Sequence, residues 1–315
     1  MQASGENRSK KNTFAVPDHI LVATDLTDLE YLVDHAIAQA SSSGARATLV
    51  HAASDLLPLD GAAAPYIDEE KIVGEIRLTL LNVARQMETN GITCDIVVRR
   101  GNPSEVILEE LGRSGATRLI LGTNARGKFG QVVIGSVAHE LLAKVNVPVF
   151  VVGPGARDAG QHVTPRIILH PVSLLGHYQE SLQLAFEIAQ SYGADLVLHH
   201  VLDRNTEESI NPERTMEWAR NALGTLVANA PYATPPIHTS VTYGDPAQEI
   251  ARAAAFTDAD WIVLGANGER RFLLFNETIA YQVLSKVDCP VLTLRHEPYQ
   301  VEDKKPEEVH FTSPQ

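Results

Sequence analysis

Two places in the chain carry residue types suited to gripping an anion. One is the run Gly122-Thr123-Asn124-Ala125-Arg126-Gly127-Lys128-Phe129-Gly130, continued by Gln131-Val132-Val133-Ile134-Gly135-Ser136. Its glycines let backbone amides converge on one point, and Gly135-Ser136 reads as the opening of a helix. The uncovered N–H groups there would attract negative charge by roughly 0.3 to 2 kcal/mol. A phosphate group is the natural guest. The other place is Asp25, a lone carboxylate closing the apolar run Ile20-Leu21-Val22-Ala23-Thr24. Each has a plainer explanation as well: Asp25 could cap the helix that starts near Asp28 or Leu29, and tight strand-to-helix turns need glycine without any ligand.

Other chemistries fit less well. Gly122-x4-Gly127-Lys128 imitates a P-loop, but Phe129 stands where Ser or Thr must hold magnesium. Arg126 and Lys128 serve equally as phosphate contacts or as solvated loop cations. Gly112-Arg113-Ser114-Gly115 lacks the spacing of a nucleophile elbow, and Ser136 has no His and Asp with assigned roles. The twelve histidines form no HExxH or equivalent cluster, so no metal site is expected.

The elements that position these residues follow from periodicity. Short Val-, Ile- and Leu-rich runs near 19–24, 46–52, 94–99, 117–122 and 147–152 alternate with helix-period stretches, as βαβ units around a parallel sheet do. The helix over about 28–43 carries Leu29, Leu32, Val33, Ala36, Ile37 and Ala40 on one stripe, with Gly44 as its C-cap. Asn102-Pro103 and Asp245-Pro246 read as N-cap and first helical residue. In such sheets a ligand lies outside the carboxyl ends of the strands, which is where Asp25 and Gly122 fall.

The pattern occurs twice. Ile20 to Asp25 matches Ile167 to Val172, and Gly44 to His51 matches Gly193 to His200. Gly101-Asn102-Pro103 matches Gly244-Asp245-Pro246, and Arg118 to Gly122 matches Trp261 to Gly265. Asn146-Val147-Pro148-Val149 matches Asp288-Cys289-Pro290-Val291. Five landmarks in one order indicate a duplication. A length of 315 residues accommodates two domains. The division is a flexible tail over 1–17, a first domain over 18–155, a linker over 156–163, a second domain over 164–297 and a flexible tail over 298–315.

Charge and composition exclude several partners. Basic residues number 14 against 18 acidic over 1–155 and 12 against 21 thereafter, giving −13 in all without a basic stripe, so nucleic acid is not expected. Two cysteines without CxxC spacing fit a reducing cytoplasm, and no apolar run of 18 residues exists to span a membrane.

With these residues in place the chain resembles the universal stress protein family. Its nucleotide-binding members carry Gly, two residues, Gly, nine residues, then Gly-Ser or Gly-Thr after the fourth strand, and an Asp after the first. Gly122, Ala125 and Gly135-Ser136 keep that spacing with one substitution, and Asp25 matches the early Asp. The resemblance covers roughly 18–155 and 164–297 and implies a tandem member. Its fold would be two doubly wound five-stranded parallel-sheet α/β domains, adenine nucleotide α-hydrolase-like or Rossmann-like, forming an internal pseudo-dimer through their last strands, with a further homodimer open.

By that resemblance the first domain binds ATP, with or without Mg. Asp25 would hold the ribose, backbone near Ala52 and Leu121 would flank the adenine, and Gly122, Ala125, Gly135, Ser136 and Val137 would surround the phosphates. In the second copy Val172 is matched to Asp25 and Glu277-Thr278 replaces Gly-Ser, so that domain is expected not to bind nucleotide and to act as structural or regulatory partner. The expected function is an ATP-binding stress-response protein, not an enzyme, read by an unknown protein partner. The alternative is the family's non-nucleotide-binding kind, a protein-interaction scaffold. An α-hydrolase-type enzyme would need lysine, acid or cysteine machinery that the sequence does not display.

Overall fold

The computed structural model describes residues 14–53, 69–123, 134–153, 155–158, 162–176, 178–202, 211–230, 235–267 and 279–296. In the first half the elements run β1 His19–Ala23, α1 Leu29–Ser43, β2 Arg46–Ala53, α2 Glu69–Thr89, β3 Cys94–Arg100, α3 Pro103–Ser114, β4 Arg118–Gly122, α4 Ser136–Lys144 and β5 Val149–Val152. A single helical turn, α5 Gly155–Asp158, leads to the second half. There follow β6 Ile167–Pro171, α6 Gln179–Tyr192, β7 Asp195–Leu202, α7 Pro212–Ala228, β8 Ile237–Tyr243, α8 Pro246–Phe256, β9 Trp261–Asn267, α9 Ile279–Leu284 and β10 Val291–His296.

The helix ends obey the local chemistry expected of them. Asn102 accepts from the N–H groups of Ser104 (2.9 Å) and Glu105 (3.3 Å), and Asp245 accepts from that of Gln248 (2.9 Å). Pro103 and Pro246 follow at the position where a missing N–H costs nothing. Gly44 ends α1 at φ 69°, a left-handed conformation that glycine enters without penalty.

All ten strands join one sheet in the order β3-β2-β1-β4-β5-β10-β9-β6-β7-β8. Every pairing is parallel except β5 with β10, which is antiparallel, with Val291 opposite Val151, Leu292 opposite Phe150 and Thr293 opposite Val149. Two five-stranded parallel sheets therefore meet through their last strands within one chain, as the resemblance implied. Alternate residues of β1 feed two cores. Ile20 and Val22 pack with α1 and α2, and Leu21 and Ala23 pack with α3 and α4. Both cores run on beneath the second half, the first under α6 and α7 and the second under α8 and α9.

Rings lock the seam. Phe150 lies edge-on to Trp261, with centroids 4.7 Å apart; Trp261 meets Tyr192 at 5.1 Å, and Phe150 meets His35 at 5.6 Å. Polar contacts cross as well. Arg295 donates to the carbonyl of Ala143 (2.7 Å) and to Asn146, and the hydroxyls of Ser42 and Tyr192 are 2.9 Å apart.

Two departures from the sequence-based division have clear causes. Residues 14–17, placed in a flexible tail, are held against the body because the buried Arg118 guanidinium donates to the carbonyls of Phe14 (2.5 Å) and Ala15 (3.2 Å), and to Gln39 (2.8 Å). A buried cation requires acceptors, and this segment supplies them. Ala156, in the expected linker, is buried, and Gly155 just before it abuts Asp288, where a Cβ would overlap the carboxylate. The remaining tail residues, 1–13 and 298–315, lie outside the described residues.

Phe150 touches rings from both halves, so Phe150→Ala should lower the unfolding free energy by about 3 to 5 kcal/mol. Urea denaturation followed by circular dichroism checks this; an unchanged midpoint would mean that the rings do not hold the seam.

Candidate functional site

The connections of the first half reverse direction beside β1. Chain order goes from β1 outward to β2 and β3, then returns to β4 on the other flank, so the carboxyl ends of β2, β1 and β4 lie side by side. Ala23 sits opposite both Val50 and Leu121. This is the crevice that open α/β sheets use for ligands.

The loop after β1 is fastened to both neighbours. The Thr24 N–H donates to the Val50 carbonyl (3.1 Å), and His51 Nδ1 donates to the Thr24 carbonyl (2.9 Å). Asp25 is exposed at this mouth. Its Oδ1 accepts from the Thr27 N–H (2.9 Å) and hydroxyl (2.7 Å), closing a small turn. It does not cap α1, since the N-cap is Asp28. Between them Leu26 takes φ 75°, one of two non-glycine residues at positive φ among the described residues, while its side chain packs on the first core.

Asp28 is the group that sequence reasoning missed. It is 3% exposed, and its Oδ1 accepts from the Thr24 hydroxyl at 2.5 Å. It lies so close to Gly122 that a Cβ there would overlap the carboxylate. The glycine is thus required by a protein contact. Burial raises the Asp28 pKa to about 6; the Thr24 hydroxyl opposes the rise and the Asp25 charge adds to it. Tyr31 completes the cluster, its hydroxyl donating to the Thr123 carbonyl at 3.5 Å. Burial, then Asp28 and Asp25, push that phenol up to about 12. A second carboxylate three residues after Asp25 is the available signal, at a position that also reads as a helix start.

Of the other expected residues, Ala52 is half-buried at the end of β2, Leu121 is buried in β4 and Gly122 closes β4. Gly135 is the N-cap of α4, at φ −62° and ψ 155°, and has no side chain with which to cap that turn. Ser136 is exposed and Val137 half-buried. Ile134, Ala138 and Leu141, all buried, anchor the helix. Ala125, with Arg126 and Lys128, lies outside the described residues. The described residues thus include an exposed carboxylate after β1, strand-end backbone of β2 and β4, and the glycine N-cap of α4.

The second half corrects one pairing. Val172 donates its N–H to the His199 carbonyl (2.8 Å) and accepts from His200 Nδ1 (2.7 Å), the bonds that Thr24 makes with Val50 and His51. Val172 therefore stands for Thr24, and Ser173 for Asp25. The apolar runs alone align the repeat one residue out of step; hydrogen-bond register fixes it. The carboxylate is still missing there. Tyr178 is the N-cap of α6 in the place of Asp28, and Glu277 and Thr278 lie outside the described residues.

The universal stress protein family model matches residues 17–153 and 165–295, one copy in each half. The chain belongs to the universal stress protein family. It is similar to a universal stress protein of Mycolicibacterium smegmatis (strain ATCC 700084 / mc(2)155), 25% identical over 290 residues that cover 88% of this chain and 96% of the relative. Among solved structures, a universal stress protein from Archaeoglobus fulgidus DSM 4304 shares the fold at TM-score 0.65 and 17% identity, covering 88% of this chain and 98% of that one. A protein of unknown function from Pseudomonas aeruginosa PAO1 does so at TM-score 0.66 and 18% identity, covering 90% and 95%. Among the described residues no helix is long and apolar enough to cross a membrane.

The Asp28 carboxyl holds its proton more tightly folded than unfolded. Near pH 4 the folded carboxyl is protonated and the unfolded one only about half so, and the cost is under about 1 kcal/mol; between the unfolded value of 3.8 and about 6 its contribution turns progressively unfavourable. Asp28→Asn should therefore come within about 1 kcal/mol of wild type in unfolding free energy near pH 4 and exceed it above pH 6 by up to about 3 kcal/mol. Urea titrations at pH 4 and pH 8 measure this, and a pH-independent difference would contradict it.

Proposed function

We propose that the chain is an ATP-binding regulatory member of its family, holding one adenine nucleotide, with or without Mg, in the first half. The second half would serve as structural or regulatory partner, the domains dividing near 155 and 164. What supports this reading is the glycine N-cap of α4 at Gly135-Ser136 together with the exposed Asp25 after the first half's central strand. Helix-start amides suit phosphate oxygens, and a carboxylate suits sugar hydroxyls. In this reading Ser136 and Val137 supply the amides, Asp25 the ribose contact, and Ala52 and Leu121 the backbone beside the base. Occupancy alters a surface that a protein partner reads. The protein is a binder rather than an enzyme in this reading, and its two free thiols, Cys94 and Cys289, fit a cytoplasmic setting.

The scaffold reading has its own support. Asp28 packs directly against Gly122, and Ala125 replaces a glycine of the family's motif. Isothermal titration with ATP separates the two. Wild type should bind one ATP per chain, and Asp25→Ala and Gly135→Glu should each bind at least about tenfold more weakly, the scale of one lost bond to a charged group. The latter is tolerated by the fold, since nothing lies within 4 Å of a Cβ at Gly135. Equal affinity in all three would reject the pocket, and no binding by wild type would favour the scaffold.

A further inference from the structure

The duplication supplies an internal reference for each position. In the first half Val50 on β2 pairs with Val97 on β3, and Val106 on α3 joins Val50 in the same core. The same places in the second half hold His199 opposite Ser240, with Glu249 on α8. Three apolar side chains have become three hydrogen-bonding ones. The fold does not require the change, because the first half packs the same elements with valine.

The polar groups converge. His199 is 1% exposed, with Nδ1 2.6 Å from the Ser240 hydroxyl and Nε2 3.4 Å from that of Thr242. Burial pushes its pKa down to about 4, so the imidazole is neutral. Glu249 is packed over Gly244, where a Cβ would lie 2.6 Å from its Cγ, and its carboxylate accepts from Arg252 at 2.5 Å.

Space opens above them for an identifiable reason. In the first half Arg99 on β3 reaches Glu109 on α3 at 2.5 Å, tying strand to helix. The corresponding residues are Thr242 and Arg252, and Arg252 turns back along its own helix to Glu249. A groove of about 640 Å³ results between α8 and the β7–β8 face, walled by Ile167, Val197 and Ala253, with Phe256 91% exposed at its rim. Its size falls within the roughly 300–1,000 Å³ of small-molecule sites.

We propose that this groove is a second ligand site, taking a small uncharged molecule with a ring or aliphatic body and a hydroxyl that bonds to the His199, Ser240 and Thr242 set. The walls supply apolar contact, and each protein hydroxyl retains capacity for a further bond. Ions of either sign find the groove's charges already engaged, Asp195 with His238 at 3.5 Å and Glu249 with Arg252. The site lies in the half opposite Asp25 and Gly135, so it stands or falls independently of nucleotide binding.

The probes are phenol and toluene, alike in shape and different by one hydroxyl. In ¹⁵N NMR titrations of the full chain, phenol should give saturable shifts at the His199 ring and the Ser240 and Thr242 amides, with toluene binding at least tenfold more weakly. His199→Val with Ser240→Val restores the pair the first half uses; it should leave the spectrum folded and abolish the preference. No saturable shift with phenol, equal binding of both probes, or a preference surviving in the double variant would each overturn the proposal.

Discussion

The antiparallel pairing of β5 with β10 is the constraint on which the rest of the structure depends. A five-stranded parallel sheet ends in an edge whose amides and carbonyls need partners and whose apolar faces need cover. Each half supplies the other's. Because the pairing is antiparallel, the helices of both halves stay in register with two cores that pass beneath the seam. Phe150, Trp261 and Tyr192 fill the space that the joined sheets create on one side. The position of β4, and hence of the crevice beside β1, is set from that seam outward.

Much of this was legible in the sequence because strand ends and helix ends are written in local chemistry. Asn102-Pro103, Asp245-Pro246 and Gly44 mark their elements whatever the tertiary context, and strand periodicity puts Asp25 and Gly122 at carboxyl ends. What local chemistry cannot show is which polar side chain becomes buried. Asp28 lies in the first turn of a helix, where an acid is ordinary; its burial is decided by Gly122, 94 residues further on. Arg118 opens a strand, where a cation would normally reach solvent, yet Gln39 and the carbonyls of Phe14 and Ala15 enclose it.

The halves have diverged in complementary ways. The first keeps valine beneath α3 and concentrates its carboxylates, Asp25 and Asp28, at the mouth of β1. The second loses both, with Ser173 and Tyr178 in their places, and carries its unusual polarity beneath α8 instead. His51 and His200, by contrast, make the same bond in both halves, Nδ1 to the first carbonyl after the central strand. That bond belongs to the scaffold; the changes elsewhere are what distinguish one copy from the other.

Joining the two sheets through α5 in one polypeptide makes their encounter intramolecular. Partners that are separate molecules come apart on dilution and must keep matching surfaces to find each other; tethered ones meet at an effective concentration fixed by the short connection. Dilution cannot part them. A duplicated module in this arrangement is released from the demand of self-recognition, and only its seam must stay complementary while its other surfaces drift.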